Sequence, residues 1–144
     1  MDERGFTLLE ITITMAVLSL VFLLVFSLPT KATDHLTMEQ TIYQIANDII
    51  YAKEYAKTHT VTLGFTISTR DSYYVINRGN KEILKGYIPK EYTISTGFAR
   101  NEFYINNSGG VNLFGSITLT DKDGKQIWLT TTITSGRVKV YLNE

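Results

Sequence analysis

A run of 20 uncharged residues near the beginning of the chain, Ile11–Thr30, constrains its fold more than any other feature. An α-helix rises about 1.5 Å per residue, so a helix of this length spans roughly 30 Å, the thickness of the hydrocarbon core of a bilayer. We therefore expect a transmembrane helix over residues 6–29. The more polar remainder, residues 30–144, is long enough for one globular domain, so the chain is bipartite.

Three interpretations of this apolar run compete. A secretory signal peptide has a basic start, an apolar region of about 7–15 residues and a cleavage site between small residues. Here the run is longer, one arginine and two acidic residues precede it, and Thr30-Lys31-Ala32 is a poor cleavage site. A plain membrane anchor fits the length but leaves Glu10 unexplained, unless lipid headgroups solvate it. A carboxylate at the centre of a bilayer costs on the order of 2.5–3.5 kcal/mol and normally has a partner.

The third interpretation is cleavage of a short leader after Gly5. This cut would expose the α-amino group of Phe6, whose positive charge could face the Glu10 carboxylate of the same chain or of a neighbouring copy. The segment from Gly5 to Glu10, GFTLLE, and the apolar run after it resemble the class III signal of type IV pilins and pseudopilins. The resemblance implies that a prepilin peptidase removes residues 1–5 and methylates Phe6. It also implies that Glu10 guides subunit docking during filament assembly.

The polar remainder begins with a helical pattern. Apolar residues recur at spacings of three or four from Met38 to Ala56, which predicts an amphipathic helix over residues 34–58. Thr37 and Gln40 have the spacing of a capping box, so a helix could begin there, and a helix continuous with the membrane segment is equally compatible. We expect the apolar stripe to be the face on which a sheet packs.

From Thr60 onward the hydrophobic period changes to two, with many β-branched and aromatic residues, which is typical of strands. Predicted strands cover residues 61–68, 73–77, 82–88, 92–96, 102–106, 112–120, 126–134 and 137–142. Turn residues separate them, among them Asp121-Lys122-Asp123-Gly124 and Ser135-Gly136. The sequence therefore predicts an α+β fold in which a long N-terminal helix packs on an antiparallel β-sheet domain.

Three segments of the predicted domain indicate which kind of pseudopilin the chain resembles. They are YAKEYA at residues 51–56 leading into VTL at 61–63, GVNLFGSI at 110–117, and SGRV at 135–138. They are similar to minor pseudopilins of the GspH and FimT kind, and among these to the ComGD competence pseudopilins. The resemblance implies a pilin-like fold and a structural subunit of a competence pseudopilus, which takes up extracellular DNA. A type II secretion pseudopilus and a DNA-binding pilus-tip module are the alternatives.

The same resemblance implies a location and partners. Such a chain crosses the cell membrane once, holds residues 30–144 outside as an extracellular domain, and reaches the cell surface after assembly into a pseudopilus. Its expected partners are the prepilin peptidase, other major and minor pseudopilins, membrane lipid and, weakly, DNA.

The sequence contains few residues or motifs that would indicate an enzyme or a metal site. The chain has no cysteine, which excludes a disulfide, a thiol nucleophile and a cysteine zinc site. Its two histidines, His35 and His59, have no carboxylate at metal-ligand spacing. Asp121 and Asp123 before Gly124 could begin a calcium loop, but the motif is incomplete and a hairpin turn fits better. With no catalytic or phosphate-loop motif, we expect no enzyme, no cofactor and no metal site.

Direct DNA binding would depend on a local patch, because 14 basic and 14 acidic residues give zero formal net charge. Arg137 and Lys139 alternate with apolar residues on the last predicted strand, so both lie on one face. A solvated strand face is one interpretation. The other is phosphate contact, since Gly136-Arg137-Val138-Lys139 resembles the Gly-Arg-x-Arg stretch that is associated with DNA contact in FimT-like pilins. Lysine keeps the attraction but not the bidentate geometry of arginine, so we expect a dissociation constant of roughly 10⁻⁴ to 10⁻⁶ M.

Overall fold

The computed structural model describes residues 8–26, 30–133 and 135–142. The chain divides between Asp34 and His35 into two compact units. Helix α1 (Leu8–Phe26) belongs to the first unit, and helix α2 (Thr30–His59) begins in the first and continues through the second. Eight strands follow α2 in the second unit.

Helix α1 is apolar except for Glu10 and three hydroxyl side chains. Each hydroxyl donates a hydrogen bond of 2.8–2.9 Å to a backbone carbonyl three or four residues earlier in the helix. The three residues are Thr12, Thr14 and Ser19. Because these hydroxyls are satisfied within the helix, they need no water, and the helix tolerates an apolar environment.

The structure does not establish that residues 6–29 cross a membrane. Among the residues that are described, no helix is both long and apolar enough to cross a membrane. The predicted segment, residues 6–29, includes residues 6–7 and 27–29, which lie outside the described ones.

Helix α2 supplies one wall of the core. The residues whose spacing predicts the buried face are all fully buried, and Thr41 and Ala46 are buried beside them. The predicted residues are Met38, Ile42, Ile45, Ile49, Ala52 and Ala56. The helix begins at Thr30, four residues before the predicted start at 34, so Thr37 lies inside the helix and does not begin it. The Thr41 hydroxyl donates to the Thr37 carbonyl instead, at 2.8 Å. Continuity with α1 would depend on residues 27–29, which lie outside the described part of the chain.

The predicted strands all appear, mostly shortened by one to three residues. They are β1 (Leu63–Ser68), β2 (Tyr73–Arg78), β3 (Lys81–Tyr87), β4 (Thr93–Thr96), β5 (Glu102–Ile105), β6 (Gly115–Thr120), β7 (Gln126–Thr131) and β8 (Val138–Leu142). All pairings between neighbouring strands are antiparallel. The strands form two four-stranded sheets, sheet 1 in the order β3-β2-β1-β5 and sheet 2 in the order β4-β6-β7-β8. The buried residues of α2 and of both sheets share one core, so the predicted α+β fold is confirmed.

One difference from the sequence prediction lies ahead of β6. Residues 112–114 were expected to begin that strand, whereas β6 begins at Gly115. Val111 instead forms an isolated bridge with Ile105 of β5. The Asn112 side chain accepts a hydrogen bond of 2.7 Å from the Tyr104 backbone N–H, and the Asn112 N–H donates to the Tyr104 carbonyl. These contacts hold the segment against sheet 1, so pairing within sheet 2 starts later.

Tyr74 of β2 connects sheet 1 to helix α2 inside the core. Its ring stacks on Phe65 with centroids 5.6 Å apart, and its hydroxyl donates a hydrogen bond to the Asp48 carboxylate of α2. The ring lies over Gly86 of β3, where an added Cβ would come within 2.1 Å of Tyr74 Cζ. Glycine is therefore required at position 86 for this ring to reach the helix.

We expect the stability of the protein to fall at high pH because of Tyr74. Burial, and then the hydrogen bond and charge of Asp48, raise the pKa of Tyr74 well above its ordinary value. Above about pH 10 the unfolded chain loses this proton while the folded chain keeps it. The unfolding free energy then falls by up to ~1.4 kcal/mol per pH unit. At neutral pH, Tyr74→Phe should cost about 1–3 kcal/mol because Asp48 loses its donor.

Denaturant unfolding of the full chain in nonionic detergent, from about pH 8 to 11, tests this expectation. The variant Tyr74→Phe should lose the decline above pH 10, whereas Tyr104→Phe, at an exposed tyrosine of sheet 1, should keep it. The same pH slope in wild type and Tyr74→Phe would contradict the assignment.

Candidate functional site

The predicted processing and assembly residues lie at the N-terminus. Gly5 and Phe6 lie outside the described residues. Glu10 lies in the first turn of α1 and is exposed. A carboxylate in the first turn of a helix interacts favourably with the positive end of the helix dipole. Glu10 is therefore compatible with the helix and accessible to another chain, as a role in assembly requires.

The predicted cationic pair lies on the edge strand of sheet 2. Arg137 immediately precedes β8, and Lys139 pairs with Thr130 of β7. Both cations are exposed and point to the same side of the sheet, while Val138 and Val140 between and after them are partly buried on the other side. Within the described part of the chain, neither cation forms an ion pair with a carboxylate. The structure thus places the two cations on one side of the strand, as the alternation predicts.

A turn closed by hydrogen bonds between Thr132, Gly136 and Arg137 holds Arg137 in place. The Gly136 N–H donates to the Thr132 carbonyl at 2.9 Å, and the Thr132 N–H donates to the Arg137 carbonyl at 3.0 Å. Gly136 has a φ of +56°, and a Cβ there would come within 2.5 Å of the Gly109 carbonyl oxygen. Only glycine therefore fits this turn.

Helix α2 anchors the same turn through Lys53. The Lys53 ammonium donates hydrogen bonds to the carbonyls of Gly136 at 2.6 Å and Ser135 at 3.3 Å. Burial and the nearby charge of Lys57 lower the pKa of Lys53, and Glu54 opposes them. The contact fixes the start of β8 against the helix, so Arg137 projects from a supported position.

Two aromatic residues beside the cations were missed by the sequence analysis. Trp128 of β7 pairs with Tyr141 of β8, and their rings stack with centroids 5.6 Å apart and planes 14° apart. Alternation alone places Tyr141 on the same side as Lys139. The register between β7 and β8, which brings Trp128 alongside, is visible only in the structure.

The residues considered as metal ligands in the sequence make local structural contacts instead. Asp121 Oδ1 accepts hydrogen bonds of 2.9 Å from the N–H groups of Asp123 and Lys125, which closes the β6–β7 hairpin turn and leaves that oxygen engaged. The His59 ring stacks on Tyr55 at the end of α2. In the described ranges, no group of three or more acidic or histidine side chains could hold a metal ion.

Comparison with known proteins adds two findings. Residues 1–26 match the prokaryotic N-terminal methylation motif. The fold is similar to that of the minor pseudopilin EpsH from the Type 2 Secretion System of Vibrio cholerae, with a TM-score of 0.61 and 10% sequence identity over 72% of this chain and 95% of that one. The chain has a pilin-like fold. No curated protein matches the sequence significantly.

Proposed function

We propose that this protein is a minor pseudopilin, a non-enzymatic structural subunit of a type IV pilus-like filament. The observation that carries the proposal is the combination within one chain of an N-terminal methylation motif and a pilin-like domain. The motif supports processing by a prepilin peptidase. The fold supports a place beside other pseudopilins.

In this proposal each part of the chain has one task. The peptidase removes residues 1–5, and the apolar segment then holds the subunit in the cell membrane with its globular domain outside. The carboxylate of Glu10 pairs with the freed amine of Phe6, in the same chain or a neighbour, which offsets the cost of a charge in an apolar environment.

We further propose that the filament serves uptake of extracellular DNA. The segments at residues 51–56 with 61–63, 110–117 and 135–138 support this choice by their resemblance to competence pseudopilins. The second candidate is a subunit of a type II secretion system, and the fold similarity to EpsH, which comes from such a system, favours it. A DNA-binding role at the filament tip is the third.

Deletion of the coding sequence in the native organism, with the wild-type chain restored in trans, tests the first two candidates against each other. We expect uptake of labelled DNA to fall at least tenfold and the amount of secreted protein to stay unchanged. Loss of secretion with normal DNA uptake would support the second candidate and contradict the first. No change in either process would contradict both.

A further inference from the structure

The side of sheet 1 that faces away from the core carries an open groove. Three residues of β1, Gly64, Thr66 and Ser68, alternate with the buried residues of that strand, so they point away from the core and form the floor. Two adjoining cavities of about 560 Å³ and 410 Å³ lie over this floor and share Thr66 and Asn77. We call the two cavities together the sheet 1 groove.

The sheet 1 groove follows the direction of the strands. One cavity reaches the β1–β2 turn at Arg70 and Asp71, and the other reaches the β2–β3 turn at Asn80. These turns lie at opposite ends of the sheet because β1 and β2 are antiparallel. The six residues of β1 span about 20 Å, and β2 and β5, on either side of β1, are about 10 Å apart. The groove is therefore long and narrow enough for one extended chain.

Tyrosine rings lie on both sides of the groove. Tyr104 of β5 pairs with Gly64 across the strands and is 48% exposed. Tyr73 of β2 lines the other side, and the Lys85 ammonium lies 4.5 Å from the centroid of its ring. A cation over an aromatic face is attracted to that face, so Lys85 occupies Tyr73. Within the described part of the chain, no ring or cation contacts Tyr104 in this way, so its ring is open to a ligand.

Two polar side chains of the groove are also available to a ligand. Asn77 of β2 pairs with Gly64, opposite Tyr104, and Glu102 of β5 pairs with Thr66. Among the described residues, neither the Asn77 amide nor the Glu102 carboxylate has a hydrogen-bond or ion-pair partner. The amide can donate and accept hydrogen bonds, and the carboxylate can accept them. Both groups lie beside the open Tyr104 ring.

Strained backbone borders the groove near the β1–β2 turn. Ser72 has a φ of +55°, and Arg100 and Asn101 have φ values of +58° and +56°, which residues other than glycine rarely adopt. Asn101 lines the groove, and Ser72 directly precedes the lining residue Tyr73. Backbone strain of this kind is concentrated at ligand-binding and active sites, where the surrounding structure maintains it.

The charge and composition of the lining indicate the class of ligand. It carries one basic side chain, Arg70, and two acidic ones, Asp71 and Glu102. Without an excess of positive charge, the groove does not attract nucleic acid or another polyanion. Apart from Val75 and the two tyrosines, its apolar lining residues are buried in the core, so it offers few of the apolar pockets that anchor peptides. A neutral chain rich in hydroxyl groups fits this lining best.

We infer that the sheet 1 groove binds a neutral β-1,4-linked glycan, with one sugar ring stacked on Tyr104 and its hydroxyls hydrogen-bonded to Asn77 and Glu102. A pyranose ring has C–H groups on its faces and hydroxyls around its edge, so it complements an aromatic ring flanked by an amide and a carboxylate. β-1,4-linked chains are straight, as the groove is, whereas α-1,4-linked chains coil. The proposed function would hold this domain outside the cell, where polysaccharides occur.

Calorimetric titration of the full chain with short glycans tests the inference. The detergent is a polyoxyethylene one, because it contains no sugar. The ligands are chitohexaose and cellohexaose, which are β-1,4-linked with and without acetamido groups, and maltohexaose, which is α-1,4-linked. We expect both β-linked glycans to bind and maltohexaose to bind more weakly, since a coiled chain does not follow a straight groove.

Tyr104→Ala should weaken binding of the β-linked glycans about tenfold, as truncation of an aromatic anchor does. Tyr104→Phe should bind like the wild type, because it keeps the ring. The matched control is Tyr51→Ala, at a tyrosine of α2 that is 51% exposed and lies outside the groove, and it should have no effect.

Two further variants test the polar contacts and the groove itself. Asn77→Ala should weaken binding about fivefold, the effect of one hydrogen bond. Thr66→Arg places a long side chain in the middle of the groove, opposite Glu102, and should abolish binding. Because an exposed cross-strand pair of opposite charge does not disturb a sheet, this variant should keep the wild-type unfolding midpoint.

No binding of either β-linked glycan by the wild-type chain, or unchanged binding by both Tyr104→Ala and Thr66→Arg, would overturn the inference. Binding of casein, an unfolded polypeptide, without binding of a glycan would assign the groove to peptides and overturn it too. Binding of one β-linked glycan alone would support the inference and show whether the acetamido group is recognised. None of these results affects the deletion test above, so failure of this inference can be told apart from failure of the proposed function.

Discussion

Replacing Glu10 with Ala or Val should remove the protein from the filament while leaving membrane insertion and leader cleavage intact. Insertion should become easier, because a charge is removed from an apolar segment. The freed amine of Phe6 then has no carboxylate partner, and a charge left unpaired in an apolar environment costs several kcal/mol. Since 1.4 kcal/mol is a factor of ten, incorporation into sheared filaments should fall at least tenfold, and DNA uptake with it.

The control for this change is Thr12→Val, at a hydroxyl residue of the same helix, whose hydrogen bond to the Leu9 carbonyl is internal to α1. This variant should assemble normally, because it removes no charge. Glu10→Asp should retain part of the incorporation, since it keeps the carboxylate on a shorter side chain. Wild-type incorporation of the Glu10→Ala chain would contradict the assembly role.

The helix and the strands could be predicted because their signals are local. The apolar residues from Met38 to Ala56 that occur at helical spacing are all buried by α2. The alternation from Leu63 to Ile67 likewise predicts the buried side of β1. Such patterns depend on the chain's own periodicity, so they need no knowledge of distant partners.

The partition of the strands into two sheets could not be predicted, because it depends on contacts between distant segments. β5 pairs with β1 rather than with a neighbour in sequence, and β4 pairs with β6 across it. Strand β6 begins only at Gly115 because hydrogen bonds hold Asn112 to Tyr104 of sheet 1. The strand-like sequence pattern of residues 112–114 does not reveal these hydrogen bonds.

In the candidate site, too, some features follow from the local sequence and others depend on distant contacts. The alternation in β8 predicts that Arg137 and Lys139 share one face, and they do. The stacking of Trp128 on Tyr141 depends on the register between β7 and β8. The anchoring of the Gly136 turn by Lys53 joins residues that are 83 positions apart. Neither leaves a signal in the local sequence.

Processing after Gly5 is the central claim of this account, and its expected effect is all or none. In the proposed role, the cut would convert a leader-bearing precursor into a chain whose first residue is Phe6, and only that chain would offer a free amine to Glu10. Without the peptidase, every molecule should keep its leader, and none should enter a filament.

The most direct test is intact-mass analysis of the protein from membranes of cells with and without the prepilin peptidase. With the peptidase we predict loss of residues 1–5 and one added methyl group, which fragmentation should place on the amine of Phe6. Without it the chain should keep residues 1–5 and carry no methyl group. An unprocessed chain in both cell types, or a chain cut near Ala32 by a signal peptidase, would contradict the account.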